Sequence, residues 1–292
     1  MYQKNYYEDL KDLNEINREE DCSSFQLLTA SGEFLWNKMA VATLILAIFM
    51  TVLPLIPYII HGNLAAHYVP ENLETYLRVK ATSASMWTDL ANLVIQAYFI
   101  FLFFLKAKDF DAWASKSKLF LKGLGKIFWT SILSFLILTI YMVIAYFLLS
   151  AIGTIGTLIL AFGLAAILFF IQVFFISIMD DTRVTMGEAW DRLTETFKNK
   201  NFWKKILFVV FLNTILSLTY ENLMKIIPDP AKVYAGLGLD FLLNILSLII
   251  SAFTISSFIY YSDHVRYYLL DTYARDYGLD DDEIIEEADS EQ

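Results

Sequence analysis

Charge is scarce in this chain: only 18% of its 292 residues are Asp, Glu, Lys or Arg, against about 25% in an average soluble protein. A soluble fold must cover itself with polar surface, and 57% hydrophobic with 16% aromatic residues is too much for one buried core. Composition thus excludes an ordinary soluble enzyme. Cysteine is nearly absent: Cys22 stands alone, which excludes a disulfide framework and a cysteine-rich zinc site. Histidine is rare too. His61, His67 and His264 are scattered and never form the i, i+4 pair of a helical metal site. Nucleophile-elbow, HExxH, P-loop and glycine-rich dinucleotide patterns are missing. No catalytic residue, cofactor or metal is expected, and the chain reads as non-enzymatic.

What is present comes in blocks. No charged residue occurs between Lys38 and Glu71, Asp89 and Lys106, Lys126 and Asp180, or Lys205 and Glu221, nor from Phe241 to Ser262. A membrane-spanning helix needs about 20 apolar residues to cross roughly 30 Å of hydrocarbon. The 53 uncharged residues after Lys126 would make about 80 Å of helix, too long for one span. Ser150–Thr157, small and carrying Gly153 and Gly156, reads as a tight hairpin between two spans. Gly163 reads as a helix-packing glycine. Six spans follow, at about 37–60, 86–105, 127–149, 157–179, 205–224 and 239–261. Five spans with one re-entrant segment is the alternative. Pro54 and Pro57 are expected to kink or end the first span.

Eighteen of the 22 basic residues fall in the two termini, the 106–126 loop and the 180–205 loop. By the positive-inside rule both termini are then cytoplasmic. The opposite loops hold only Arg78, Lys80, Lys225 and Lys232. The polar, acidic first 34 residues lack the basic start and short apolar core of a signal peptide. The organisation expected is a cytoplasmic segment at 1–34 with an interfacial helix, a six-helix domain at 35–262, and a juxtamembrane helix with an acidic tail at 263–292.

Each cytoplasmic segment leads into a span in a similar way. In the third, Met186, Trp190, Leu193 and Phe197 fall on one helical stripe, with Glu188, Asp191, Arg192, Glu195 and Lys198 on the other faces. Thr185 and Glu188 have capping-box spacing. The second alternates Phe110, Trp113, Leu119, Phe120 and Leu124 with Lys116, Lys118 and Lys122; the first offers Phe25, Leu27 and Leu28. Trp36, Trp129 and Trp203 stand at three matching thresholds, where indole rings favour the headgroup region. The architecture expected is all-α: three repeats of an interfacial amphipathic helix plus a helical hairpin.

The stretch from Met179 through Thr185, Glu188-Ala189-Trp190 and Leu193 to Lys198-Asn199-Lys200-Asn201-Phe202-Trp203 resembles a bacterial pattern. In it an acidic residue ends one span, a short helix bearing Glu-Ala follows, and Asn-Phe-Trp opens the next. It is similar to the YciC-like and glycerophosphodiester phosphodiesterase membrane-domain proteins. That resemblance implies six membrane helices, an undefined function and no catalytic residues; the long acidic tail is not part of the pattern.

Polar residues inside spans are candidate sites, because each is costly in lipid unless paired or facing a cavity. Asp240, Asn244, Ser247 and Ser251 share one face of the sixth span; Asp89, Asn92 and Gln96 share one of the second; Asn213, Ser217, Tyr220 and Glu221 lie in the fifth. Asp89, Asn92, Gln96, Asn213, Glu221, Asp240 and Asn244 are expected either to form an outward-facing polar cavity or to tie helices together by hydrogen bonds. Trp36, Trp113, Lys118, Lys122, Trp129, Trp190, Trp203 and Lys204 are the expected interfacial lipid contacts, since anionic leaflets attract basic segments. Membrane lipids are therefore the first expected partners. The acidic tail from Asp280 is either a solvated end or a docking segment for a basic protein, a homo-oligomer stays open, and nucleic acid is not expected. The function expected is to bind or organise lipid, or to serve as the membrane subunit of a larger assembly. A small transporter or channel using the second, fifth and sixth spans is the alternative.

Overall fold

The computed structural model describes residues 23–62, 64–68, 79, 82–107, 113–180 and 185–261, without the side chains of 66, 113–117, 135, 142–166, 168, 229 and 230. Among the described residues every regular element is helical. Helix α1 spans Ser24–Val52 and runs through a single 3-10 turn, Leu53–Leu55, into α2, Ile56–Ile60. The bend falls at Pro54 and Pro57, which sit in the first turns of the two short elements, where a missing N–H is tolerated. Gly62 at φ 63° follows α2, a left-handed position that suits glycine after a helix. Then come α3 (Ala65–Tyr68), α4 (Ser83–Ala107), α5 (Trp113–Asp180), α6 (Met186–Lys198), α7 (Lys200–Ile226) and α8 (Asp229–Tyr261). The last begins ten residues before the expected span, because Pro230 lies in the first turn, where it fits, and Gly236 and Gly238 cost the helix only about 1 kcal/mol each.

Among the described residues five segments are long and apolar enough to cross a membrane: Ser24–Ile60, Ser83–Ala107, Lys118–Tyr141, Lys200–Ile226 and Ala231–Tyr261, with Phe169–Asp180 a shorter apolar helix. The chain is thus a multi-pass helical bundle in character. Where a turn is expected at 150–157, α5 stays helical. Two glycines cost a helix only about 1 kcal/mol each, and no proline removes a backbone bond there. Yet α5 cannot be straight, since 68 residues would reach about 100 Å. Thr130, Leu133, Ser134 and Ile137 line the same cavity as Ile167, Phe169, Phe170, Ile171 and Phe174. The axis therefore bends back between Ile137 and Ile167, giving α5 two arms.

Helices α1 and α8 pair antiparallel along their length. Ser31 and Ser256 hydroxyls meet at 2.9 Å near one end, and Asn244 Nδ2 donates to Thr51 Oγ1 at 2.9 Å near the other. Helix α7 lies on α8 through Phe208 and Phe253, α4 on α1 through Phe34 and Phe103, and α5 on α4 through Phe120 against Tyr98 and Phe101. Fully buried side chains concentrate at one end of the bundle: Leu27, Phe103, Ile127, Val173, Ile176, Leu193, Phe202 and Phe253. Lys122, Lys126, Lys204 and Lys205 belong to the same end by sequence position. Its acid-bearing opposite holds Asp240 and Tyr68.

The interfacial helices differ from the expected repeat. Only the third is a separate element. In the first, the stretch from Ser24 continues without a break into the span, and in the second the stretch from Trp113 does the same; neither holds a proline, and Gly32, Gly123 and Gly125 cost a helix only about 1 kcal/mol each. In the third, Asn199 does both jobs: its extended backbone (φ −75°, ψ 115°) ends α6, and its side-chain oxygen accepts the Asn201 N–H at 2.9 Å to open α7. The first 22 residues, the juxtamembrane helix read over 267–277 and the acidic tail lie outside the described residues.

Candidate functional site

Helix α6 is the best-defined peripheral element, and its local chemistry explains why. Thr185 caps it: the Glu188 N–H donates to Thr185 Oγ1 at 3.2 Å, and the Thr185 N–H donates to the Glu188 carboxylate at 2.6 Å. This is the capping box expected from the sequence. The bond from the Thr185 N–H holds the Glu188 carboxyl below its ordinary range. A second capping box, Ser23 with Gln26, opens α1. Helix α6 then folds back on the end of α5. Ser177 Oγ donates to the Ala189 carbonyl at 2.8 Å, and Arg192 reaches Asp180 at 3.5 Å.

The stripe on α6 faces α5 as its spacing implies. Leu193 is fully buried. Trp190 meets Phe170 and Phe174 edge-on at 5.5 and 5.8 Å, and Phe197 meets Phe170, Phe202 and Trp203 at 5.5, 5.4 and 5.3 Å. Between this aromatic stripe, the two arms of α5 and the start of α7 lies a cavity of about 430 Å³. Its wall is almost wholly hydrocarbon and aromatic ring. Two of the polar groups on it bond backbone carbonyls, Trp203 Nε1 donating to that of Phe197 at 2.9 Å and Thr130 Oγ1 to that of Lys126 at 2.9 Å, and the Ser134 hydroxyl also lines it. The space suits an apolar guest. A second, shallower hollow runs along α1 from Trp36 to Ile45.

No known family model, curated protein or solved structure matches the chain. The site therefore rests on its own geometry.

The interfacial set is divided. Trp190 and Trp203 line the large cavity. Trp36 lines the shallow hollow at 74% exposure. Trp129, Lys118, Lys122 and Lys204 are exposed on their helices, and the Trp113 side chain lies outside those described. Lys205, not among the expected contacts, is only 3% exposed, with its ammonium 5.9 Å from the Tyr261 ring centre.

The seven polar residues expected to share one cavity do not gather. Asp240 accepts from the Tyr68 hydroxyl at 2.8 Å, and Tyr220 also hydrogen-bonds it. Asn244 is held by Thr51 and Ser251 by Gln172 Nε2 at 3.3 Å, so one polar face of α8 is divided among several partners. Asp89, Gln96, Asn213 and Glu221 are exposed, while Asn92 is half-buried with its Oδ1 shielded and unbonded. Neither cavity described above touches any of the seven. Among the described residues no group of three or more His, Cys, Asp or Glu could hold a metal.

The residues that sequence reading missed are Phe170, Phe174, Ser134 and Ile137 of the cavity wall, with Tyr68 and Thr51 of the polar ties. Phe170 and Phe174 carry a faint signal, since i and i+4 aromatics share a helix face.

Proposed function

We propose that this chain is a six-span protein of a bacterial inner membrane, with both termini cytoplasmic, that binds and organises lipid instead of catalysing a reaction. The cavity under α6 is the observation that carries this reading. It is apolar, it lies between an amphipathic helix and a pair of apolar arms, and two tryptophans of the headgroup type line it. The bend of α5 supports counting its arms as two spans, which brings the total to six. Equal arms from Lys126 to Asp180 would turn near 153, inside the small-residue stretch. The clustering of Lys122, Lys126, Lys204 and Lys205 at one end supports a cytoplasmic face there. Resemblance to the YciC-like type belongs to the same proposal, as does service as the membrane subunit of a larger assembly.

Transport is the weaker reading, because Asp240 and Asn244 engage Tyr68 and Thr51 and line neither cavity described above. Purification in a gentle detergent followed by native mass spectrometry tests the proposal. Phospholipid retained on the intact chain is expected. A protein that flies free of lipid at every collision energy overturns it.

A further inference from the structure

We infer that the cavity under α6 holds one acyl chain, and only one, of an anionic phospholipid drawn from the surrounding leaflet. The inference rests on the lipid-binding reading above and specifies its ligand.

Volume sets the number of chains. A water molecule's share of liquid is about 30 Å³ and a methylene takes nearly the same, so the space holds about 14 methylenes. That is one acyl chain of ordinary length. Two chains, or a chain with its glycerol, exceed it. Chemistry sets the part of the lipid. The Trp203 N–H and the Thr130 hydroxyl are already committed to the carbonyls of Phe197 and Lys126. Among the described residues the wall then leaves a phosphate or an ester at most the Ser134 hydroxyl, and a charged group drawn inside would lose far more water than one hydroxyl replaces. The headgroup stays outside.

Position sets its charge. Lys126 lies four residues before Thr130, on the same face of α5 and one turn nearer the basic end. Its charge is felt at Glu188, just beyond the α6 cap, so it lies where the lower edges of α5 and α6 meet. Lys122 is one further turn out on that face. A headgroup emerging past Thr130 meets these lysines, and an anionic one complements them.

The test uses the full-length protein, stripped of lipid in detergent, and native mass spectrometry of added probes. Dimyristoylphosphatidylglycerol should give one retained adduct per chain. Its single-chain lyso analogue should be retained about as well, since one tail suffices. Dioctanoylphosphatidylglycerol should bind about tenfold or more weaker, as the methylenes it lacks leave apolar wall unfilled. Filling the space from opposite arms, with Ser134→Trp and separately with Ile171→Trp, should each abolish the adduct while the unfolding temperature holds. The two variants guard against one of them failing to fold. Lys122→Ala with Lys126→Ala should keep the adduct but erase the preference over dimyristoylphosphatidylcholine.

An adduct undiminished in both filled variants overturns the cavity as the site. A strict need for two chains overturns the single-chain claim. Myristate bound as tightly as the phospholipid overturns the leaflet source, and equal binding of phosphatidylcholine by the unaltered protein overturns the anionic headgroup. Natural lipid that still co-purifies with the filled variants leaves the broader lipid-binding reading standing. A native protein free of any lipid removes both.

Discussion

The hydroxyl of Tyr68 donates to Asp240 at 2.8 Å while its ring occupies the space that a Cβ on Gly236 would need. One turn of α8 thus supplies both the acceptor and the gap that hold α3 down. Gly236→Ala should push the ring off and destabilise the protein by about 1–3 kcal/mol, the usual cost of overpacking. In a Tyr68→Ala background the same substitution should be nearly silent, because the clashing ring is gone and neighbours do not add. Thermal unfolding in detergent of the four proteins reads the coupling. Equal losses in both backgrounds would refute the contact.

The tie between Asn244 and Thr51 should be modest. Thr51 Oγ1 also donates to the Ala47 carbonyl at 2.8 Å, so removing the amide leaves its hydroxyl satisfied. Asn244→Leu is expected to cost about 0.6–2 kcal/mol, the range for hydrogen bonds between membrane helices. A much larger loss of stability would show that Asn244 holds more than one helix in place.

Helix α6 should depend on its cap. Thr185→Ala should weaken it by about 1 kcal/mol, read as faster amide exchange over 186–190. The pH dependence runs one way. Glu188 has a depressed carboxyl pKa in the fold, so its contribution is present above the ordinary carboxylate pKa and fades as pH falls through the lowered value. Protection factors in α6, which divide out the intrinsic slowing of exchange in acid, should therefore fall with pH for the native chain and lose that acid sensitivity in Glu188→Gln. An unchanged acid profile in the variant would assign the effect to another carboxylate.

Orientation can be read directly. In a Cys22→Ser background, His61→Cys and Glu195→Cys place thiols at exposed positions on opposite sides of the proposed membrane. An impermeant thiol reagent added to intact cells should label the first and spare the second. The reverse pattern would invert the topology.

Much of the helical plan was legible because its signals are local. Pro54 and Pro57 announced the break after α1, Thr185 and Glu188 announced the cap of α6, and the stripe from Met186 to Phe197 announced the face that Trp190, Leu193 and Phe197 turn to α5, while Met186 stays exposed. The boundaries of α8 slipped because charge ended the apolar block at Asp240 whereas the backbone continued back through Gly238 and Gly236 to Asp229. The polar ties were only half legible: Asp240 and Asn244 were conspicuous, but Tyr68 lies 172 residues from Asp240 and Thr51 lies 193 from Asn244, and nothing local links such pairs. Of the cavity wall, Trp190, Phe197 and Trp203 were legible from the α6 stripe and the span threshold, but the α5 side was not. It arises where two arms of one charge-free run meet, and apolar periodicity does not tell a packed face from one left open.

From Asp240 to Tyr261, α8 climbs about 32 Å at 1.5 Å per residue, with its lower end fixed to α1 by Ser256 and Ser31 and its upper end anchored by Tyr68. A rod fastened at both levels cannot shorten. In a bilayer much thinner than roughly 30 Å of hydrocarbon, the whole bundle must lean or draw the lipid up around it. Bilayer thickness, set by acyl length and sterol content, then becomes a variable this protein registers mechanically, whatever else it binds.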